Sequence, residues 1–277
     1  MASPVVLVTG CSSGIGSSLC RAFQREGYRV VATARQVERL ESLQEKGMAV
    51  LALDVDDPQA IKDVVRSILK SEGKIDVLVN NAGFGQFGPL MDIGREKLQQ
   101  QFQTNVFAPL LLAQQVAPSM KEQGSGLIIN IGSISGLVTT PFAGAYCASK
   151  AALHSLSEAM RMELAPFNIQ VVTVQPGAIA SDFGQSAETS LAGVISSSSW
   201  YVALEPDIRA RAKLSQVAAT PSDRFATNLV AQVIKPEPTS VIRLGKKSLW
   251  LPWLKRMLPA PLMEFMLSRK FGLIDLS

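Results

Sequence analysis

The hydrophobic pattern of the chain alternates between short, continuous apolar runs and longer segments in which apolar residues recur at helical spacing. The runs are rich in Val, Ile and Leu, which is typical of strands buried on both faces. They lie at 5–9, 28–34, 48–55, 75–80, 127–131, 169–175 and 240–244. Helices are expected between them, at 14–27, 36–46, from Pro58, at 95–123, at 146–165 and from Thr220 to about Ile234.

This regular alternation predicts an α/β fold with one Rossmann-type, doubly wound parallel sheet of about seven strands. Ligands of such sheets bind at the carboxyl ends of the strands. We expect residues 1–245 to form one domain and residues 246–277 to be a basic amphipathic extension rather than a second domain. Segment 178–219 has weak periodicity and is predicted to form a substrate lid, because long irregular segments in compact domains are usually functional.

A turn rich in glycine and serine joins the first predicted strand to the first helix. Its glycines would let the backbone approach a diphosphate, whose charge would then meet the N-terminus of the helix. The spacing Gly-x-x-x-Gly-x-Gly differs from the common dinucleotide fingerprint, and an ordinary turn is the alternative interpretation. The candidate cofactor-binding residues here are Gly10, Ser12, Ser13, Gly14, Ile15 and Gly16.

The second predicted strand ends at Arg35, without the acidic residue that would bind a ribose 2′-hydroxyl and repel a 2′-phosphate. A guanidinium can form charge-assisted bonds to a 2′-phosphate and stack on adenine, which favours NADP(H) over NAD(H). A solvated arginine at a strand end is the alternative. Asp54, after the third strand, is a candidate partner of the adenine amino group or a turn cap.

Tyr146 and Lys150 are four residues apart, so a helix places both on one face. An ammonium about 5 Å from a tyrosinate stabilises it by roughly 3 kcal/mol at an effective dielectric constant of 20. We therefore expect Lys150 to lower the pKa of Tyr146, which makes the tyrosine a candidate general acid. Such pairs also occur by chance on helices, so the spacing alone carries little weight.

Several motifs follow one another in a fixed order: the glycine turn, Asn80-Asn81-Ala82-Gly83, Asn105, Ser133, Tyr146 with Lys150, and Pro176-Gly177. Together they resemble the short-chain dehydrogenase/reductase family in its non-extended form, over about residues 4–245. The resemblance implies an alcohol- or carbonyl-type oxidoreductase that uses NADP(H). It also implies a homodimer or homotetramer.

The resemblance assigns a role to each motif. Tyr146 would protonate the carbonyl oxygen in reduction, Lys150 would also hold the nicotinamide ribose, Ser133 would orient the substrate oxygen, and Asn105 would hold a water in a proton relay. Asn81, Ala82 and Gly83 would form the floor of the cofactor site. Pro176 and Gly177 would contact the nicotinamide, and Ser181 stands where many members have a threonine that binds the carboxamide.

The turn at 9–16, followed by Ala-Thr-Ala-Arg at 32–35, is similar to the branch of hydroxysteroid and retinol dehydrogenases and acyl-dihydroxyacetone-phosphate reductases. This implies an apolar ketone or aldehyde that is steroid-, retinoid- or lipid-like. Six lid residues are candidates to line an apolar pocket, with packing of the lid onto the body as the alternative. They are Leu191, Val194, Ile195, Trp200, Tyr201 and Val202. A non-catalytic NADP(H) sensor is the rival interpretation from another functional class.

The charge distribution separates the body of the chain from its tail. Residues 1–235 carry 20 basic and 20 acidic side chains, so the net charge of +4 lies in the last 42 residues and nucleic-acid binding is not expected. Within 246–272, Trp and Leu beside cations fit either peripheral membrane contact or a cap over the pocket. Three cysteines without metal or disulfide spacing favour a cytoplasmic location with no metal. No signal peptide or membrane span is expected, and the single histidine, His154, is assigned to packing.

Overall fold

A computed structural model of the chain describes residues 3–276. Over these residues a sheet of seven parallel strands runs in the order β3-β2-β1-β4-β5-β6-β7. The strands are β1 (Val5–Val8), β2 (Arg29–Ala34), β3 (Ala49–Ala52), β4 (Val77–Asn80), β5 (Gly126–Ile131), β6 (Ile169–Pro176) and β7 (Val241–Leu244). The strand order reverses between β1 and β4, so the predicted doubly wound α/β fold is confirmed.

Helices cover both faces of the sheet and account for the continuous apolar strands. In β1, Val6 and Val8 belong to one buried core, whereas Val5 and Leu7 belong to the other. The first core is closed by α1 (Gly14–Arg25), α2 (Glu41–Gln44) and α9 (Ser222–Val233). The second is closed by α3 (Pro58–Glu72), α5 (Ala108–Gln123) and α6 (Gly144–Leu164). Side chains from successive strand positions are therefore buried on opposite faces.

The single helix predicted at 95–123 is interrupted. It consists of α4 (Arg95–Phe102), a π-helical turn (Gln103–Phe107) and then α5. Turns of this kind are often found at functional sites, and this one contains Asn105. The apolar periodicity continues through the turn, which is why the sequence pattern did not reveal the interruption.

Segment 178–219 contains α7 (Phe183–Ser190) and α8 (Glu205–Lys213), which pack against each other over a third apolar cluster. That cluster includes Phe87, Tyr146, Ile208 and Phe271. The tail forms α10 (Trp250–Met257) and α11 (Ala260–Lys270). None of the helices within residues 3–276 is long and apolar enough to cross a bilayer.

Candidate functional site

A cleft of about 1020 Å³ lies at the carboxyl ends of the strands, where this fold binds its ligands. All but one of the candidate catalytic and cofactor-binding residues line it. These are Gly10, Ser12, Ser13, Gly14, Ile15, Gly16, Arg35, Asp54, Asn81, Ala82, Gly83, Ser133, Tyr146, Lys150, Pro176, Gly177 and Ser181. The exception is Asn105, which is fully buried behind the cleft.

The glycine turn forms a cradle at one end of the cleft. Gly10 and Gly14 have φ angles of +70° and +55°, a conformation that favours glycine. A Cβ atom on Gly16 would collide with the carbonyl oxygen of Gly10. Ser13 precedes α1 without a side-chain cap, so backbone amides at this helix start remain available to an anion. The cradle therefore fits a diphosphate.

Hydrogen bonds hold the cradle against the loop after β4. The Asn81 side chain donates to the carbonyl oxygens of Thr9 and Gly10, at 2.9 and 3.0 Å. The Thr9 hydroxyl accepts from the backbone amides of Asn81 and Ala82, at 3.0 and 3.1 Å. Asn81 thus holds the glycine turn in place with its side chain and also lines the cleft.

Two arginines, Arg35 and Arg39, line the cleft beyond β2. Arg35 is exposed and its charge acts on Asp56, although burial raises the pKa of that carboxyl overall. Asp54 accepts a hydrogen bond from the Asp56 backbone amide at 3.1 Å, which is the turn-capping alternative considered from the sequence. A cationic edge at this point fits a 2′-phosphate.

Tyr146 and Lys150 lie on one face of α6 and are 7% and 6% exposed. Burial raises the pKa of Tyr146 to about 12, and the Ser133 hydroxyl opposes this rise. Burial lowers the pKa of Lys150 to about 8, and its Nζ donates to the carbonyl oxygen of Ile131 at 2.9 Å. Desolvation dominates the pKa of Tyr146, and the cation that opposes it is Arg211, so the lowering of this pKa by Lys150 stays a prediction.

The side chain of Asn105 ties the loop after β4 to α6. Its Oδ1 accepts from the Phe84 backbone amide at 3.1 Å. Its Nδ2 donates to the Phe84 carbonyl oxygen and to the Ser149 hydroxyl, at 2.9 and 3.1 Å. Both amide hydrogens are therefore used within the chain, and the water-holding role implied by the resemblance stays a prediction.

His154 does more than pack. Its Nε2 accepts a 3.4 Å hydrogen bond from the backbone amide of Ser133, and its ring fills the space where Gly132 and Gly136 have no side chain. Burial lowers the pKa of His154 to about 4, so the ring is neutral at pH 7. The histidine supports the segment that carries Ser133, a contact that sequence spacing did not indicate.

The prediction of which lid residues line the apolar pocket is wrong. The lining of the cleft contains none of the six lid residues proposed for it: Leu191, Val194, Ile195, Trp200, Tyr201 and Val202. Leu191 and Val194 are buried within the lid, whereas Trp200 is 79% exposed. The lid and tail instead contribute residues that the sequence did not single out: Phe183, Arg211, Leu214, Met263, Leu267 and Phe271. Their sequence neighbours show no motif, because only packing brings them together.

Comparison with known proteins assigns this architecture to one group. The family model described as short chain dehydrogenase matches residues 4–192. The chain is 34% identical to the short-chain dehydrogenase ptmH of Penicillium ochrochloron, over 97% of this chain and 98% of that one. It is 37% identical to the NADPH-dependent 1-acyldihydroxyacetone phosphate reductase of Schizosaccharomyces pombe, over 64% of this chain and 60% of that one.

Several other curated relatives are matched over about two thirds of their length. Among solved structures, a short-chain dehydrogenase from Streptomyces avermitilis superimposes with a TM-score of 0.80 at 30% identity. That superposition covers 98% of both chains, so it includes the lid and tail as well as the sheet.

Proposed function

Because the chain belongs to the short-chain dehydrogenase family, we propose that it is an NADP(H)-dependent oxidoreductase that reduces the carbonyl of an apolar ketone or aldehyde to an alcohol. The observation that carries this proposal is that one cleft brings together the buried Tyr146 and Lys150, the Ser133 hydroxyl and the glycine cradle. The carbonyl compound is expected to be steroid-, retinoid- or lipid-like, since aromatic and aliphatic side chains of lid and tail line the cleft.

The cofactor is NADP(H). The free amides at the start of α1 fit its diphosphate, and Arg35 with Arg39 fits its 2′-phosphate. Asn81, Ala82, Gly83, Pro176, Gly177 and Ser181 line the same cleft, and Ala82 and Ser181 lie next to Gly10 and Gly14 of the cradle. When bound, the reduced cofactor supplies the hydride.

The chain's own residues manage the proton and the substrate oxygen. With a pKa of about 12, Tyr146 keeps its proton at pH 7 and can donate it to a carbonyl oxygen as negative charge develops there. The Ser133 hydroxyl, which accepts a 3.1 Å bond from the Ser135 amide, keeps its own hydrogen to donate to the same oxygen. The buried Lys150 ammonium, one turn of α6 from Tyr146, would supply positive charge near the proton donor.

A panel of ketones and aldehydes, followed by the loss of NADPH absorbance, tests the proposal. Turnover of at least one apolar carbonyl compound is expected. Tight NADPH binding with no turnover of any compound would instead favour a non-catalytic sensor of NADP(H). The reverse reaction, with the corresponding alcohols and NADP⁺, is the matching arm.

Replacing Arg35 with alanine should weaken NADPH binding by about 10- to 100-fold and leave NADH binding nearly unchanged. The physical reason is the loss of charge-assisted bonds to the 2′-phosphate, which NADH lacks. Titration of both nucleotides by intrinsic fluorescence measures the two affinities. Arg25→Ala, which removes an arginine outside the cleft, is the control. An unaltered preference for NADPH would refute the assignment of Arg35.

A second candidate, a membrane-associated reductase of acyl-lipid ketones, is favoured by the outer surface of the tail. Leu249, directly before α10, and Trp253 and Met257 within it are more than half exposed, and so is Phe265 of α11. Lys and Arg side chains flank them on both helices. Apolar side chains with adjacent cations suit the interface of an anionic bilayer.

The double variant Trp253→Ser, Met257→Ser should reduce binding to vesicles of phosphatidylcholine and phosphatidylserine by at least about 10-fold, because two exposed apolar side chains no longer enter the interface. Flotation of the protein with the vesicles measures the bound fraction. The control is Met91→Ser, Met162→Ser, which removes exposed methionines outside the tail. Equal flotation of all three proteins would exclude membrane contact through this surface.

A further inference from the structure

Arg211 of α8 is a buried cation in the wall of the cleft. It is 8% exposed, and burial lowers its pKa. Its Nε and Nη2 donate to the Thr140 hydroxyl at 3.0 and 2.6 Å. Its guanidinium carbon lies 5.3 Å from the ring centre of Phe87 and 5.8 Å from that of Phe271. A single neutral oxygen and two rings surround a charge that normally requires a carboxylate when it is buried.

No acidic side chain of residues 3–274 forms an ion pair with Arg211. On the same helix, Glu205 pairs with Arg209 at 2.6 Å instead. Among the described residues, the acidic ones that line the cleft are Asp54 and Asp56, close to Arg35, and the exposed Asp182. Nη1 of Arg211 donates no hydrogen bond to a described residue. The cleft thus presents a desolvated cation with unused donor capacity.

The position of Arg211 relates this cation to the reacting end of the cleft. Phe87 stacks at 6.0 Å from the Tyr146 ring, and the guanidinium lies against the same Phe87. Arg211 and the proposed proton donor therefore share Phe87 as a neighbour, and the charge of Arg211 acts on Tyr146. A substrate whose carbonyl oxygen meets Tyr146 would place a group a few bonds away beside the guanidinium.

We propose that Arg211 is the binding site for an acidic group of the substrate, so that the preferred substrates are apolar ketones or aldehydes carrying a carboxylate or phosphate a few bonds from the carbonyl. A planar guanidinium binds either oxyanion through paired N–H donors. Lys270 also lines the cleft and lies over the Phe271 ring at 5.7 Å, which adds positive charge on the same side. The inference rests on the proposed carbonyl reduction and names the class of compound reduced.

The test compares a γ-keto fatty acid with its methyl ester, and a keto alcohol phosphate with the free keto alcohol. The wild-type protein should prefer each acidic compound by at least about 10-fold in kcat/KM. Arg211→Gln should raise KM for the acidic compounds by about 10- to 100-fold and leave KM for the neutral ones within about 3-fold. Arg211→Lys should retain part of the preference, because it keeps the charge. The better of the two acidic compounds identifies the oxyanion.

Arg209→Gln, an exposed arginine on the same helix, is the matched control and should behave as wild type. Equal losses with acidic and neutral compounds, together with a lower melting temperature, would show that Arg211 only holds Phe87, Phe271 and Thr140 together, and would overturn the proposal. Should Arg211→Gln fail to fold, a wild-type protein without preference for acidic compounds would overturn it equally.

A binding measurement tests the anion site at Arg211 independently of the proposed reductase activity. Calorimetric titration of octanoate and octanol into the NADPH-loaded protein needs no turnover. Octanoate should bind at least about 10-fold more tightly, and Arg211→Gln should remove the difference. If neutral carbonyl compounds are reduced and Arg211→Gln does not change the affinity for octanoate, the anion site alone is refuted. If octanoate binds selectively but no carbonyl compound is reduced, the reductase activity is refuted and the anion site is kept.

Discussion

The variant Tyr146→Phe is expected to reduce carbonyl substrates about 100- to 10,000-fold more slowly than the wild-type protein, with the loss in kcat. Tyr146 is the proposed acid, it lines the cleft together with Ser133, and burial keeps it protonated at neutral pH. Phenylalanine retains the ring that packs on Phe87 and Phe183, so the fold and the cleft should persist. Only the proton donor is removed.

Initial rates with NADPH and NADPH affinity, measured on the same preparation, check this prediction. Affinity should change by less than about 3-fold, because the glycine cradle that fits the diphosphate is unchanged. Tyr28→Phe makes the same chemical change outside the cleft, next to Phe23, and should leave the rate unchanged. Comparable rates for Tyr146→Phe and the wild-type protein would mean that the proton comes from elsewhere, and the proposed mechanism would fail.

The variant Lys150→Met should lose at least about 100-fold in activity and yet unfold at a higher temperature than the wild-type protein. Burial lowers the pKa of Lys150 from 10.5 to about 8, so keeping the ammonium in the folded protein below pH 8 costs up to about 3 kcal/mol. Loss of the hydrogen bond to the Ile131 carbonyl offsets about 1 kcal/mol of the gain. A rise in melting temperature of a few degrees follows.

The gain in stability of Lys150→Met over the wild-type protein should decrease as the pH rises above 8. Below pH 8 the lysine is protonated in both the folded and the unfolded wild-type chain, so the full cost of burial applies. Between about pH 8 and 10.5 the unfolded chain still holds the proton that the folded one has released, so wild-type stability rises with pH. The advantage of Lys150→Met should therefore shrink across this window.

Thermal unfolding followed by circular dichroism at pH 7 and pH 10 measures the effect. The matched control is Lys46→Met, an exposed lysine outside the cleft, which should shift the melting temperature little at either pH. A less stable Lys150→Met at pH 7 would show that the ammonium contributes to folding rather than opposing it. An active Lys150→Met would contradict its role beside Tyr146.

The sequence by itself determined the sheet and the cofactor end of the cleft. Strands such as Val5–Val8 are continuous apolar runs because both of their faces are buried, and this pattern is local and readable. The cradle at Gly10 and Gly14 was equally readable, since positive φ angles leave few residue types other than glycine. The shared helix face of Tyr146 and Lys150 was also readable from their spacing, because helical periodicity fixes which residues lie on one face.

Only the tertiary structure decided the ionisation of the catalytic pair and the composition of the substrate end. The pKa of Tyr146 is set by burial under residues distant in sequence, and this desolvation has no signature in the spacing to Lys150. Arg211 is an ordinary helical arginine in the sequence. It becomes a desolvated cation because Phe87 and Phe271, far from it along the chain, close over it. Local periodicity carries information about faces and turns, whereas long-range packing determines which side chains share a cleft and at what electrostatic cost.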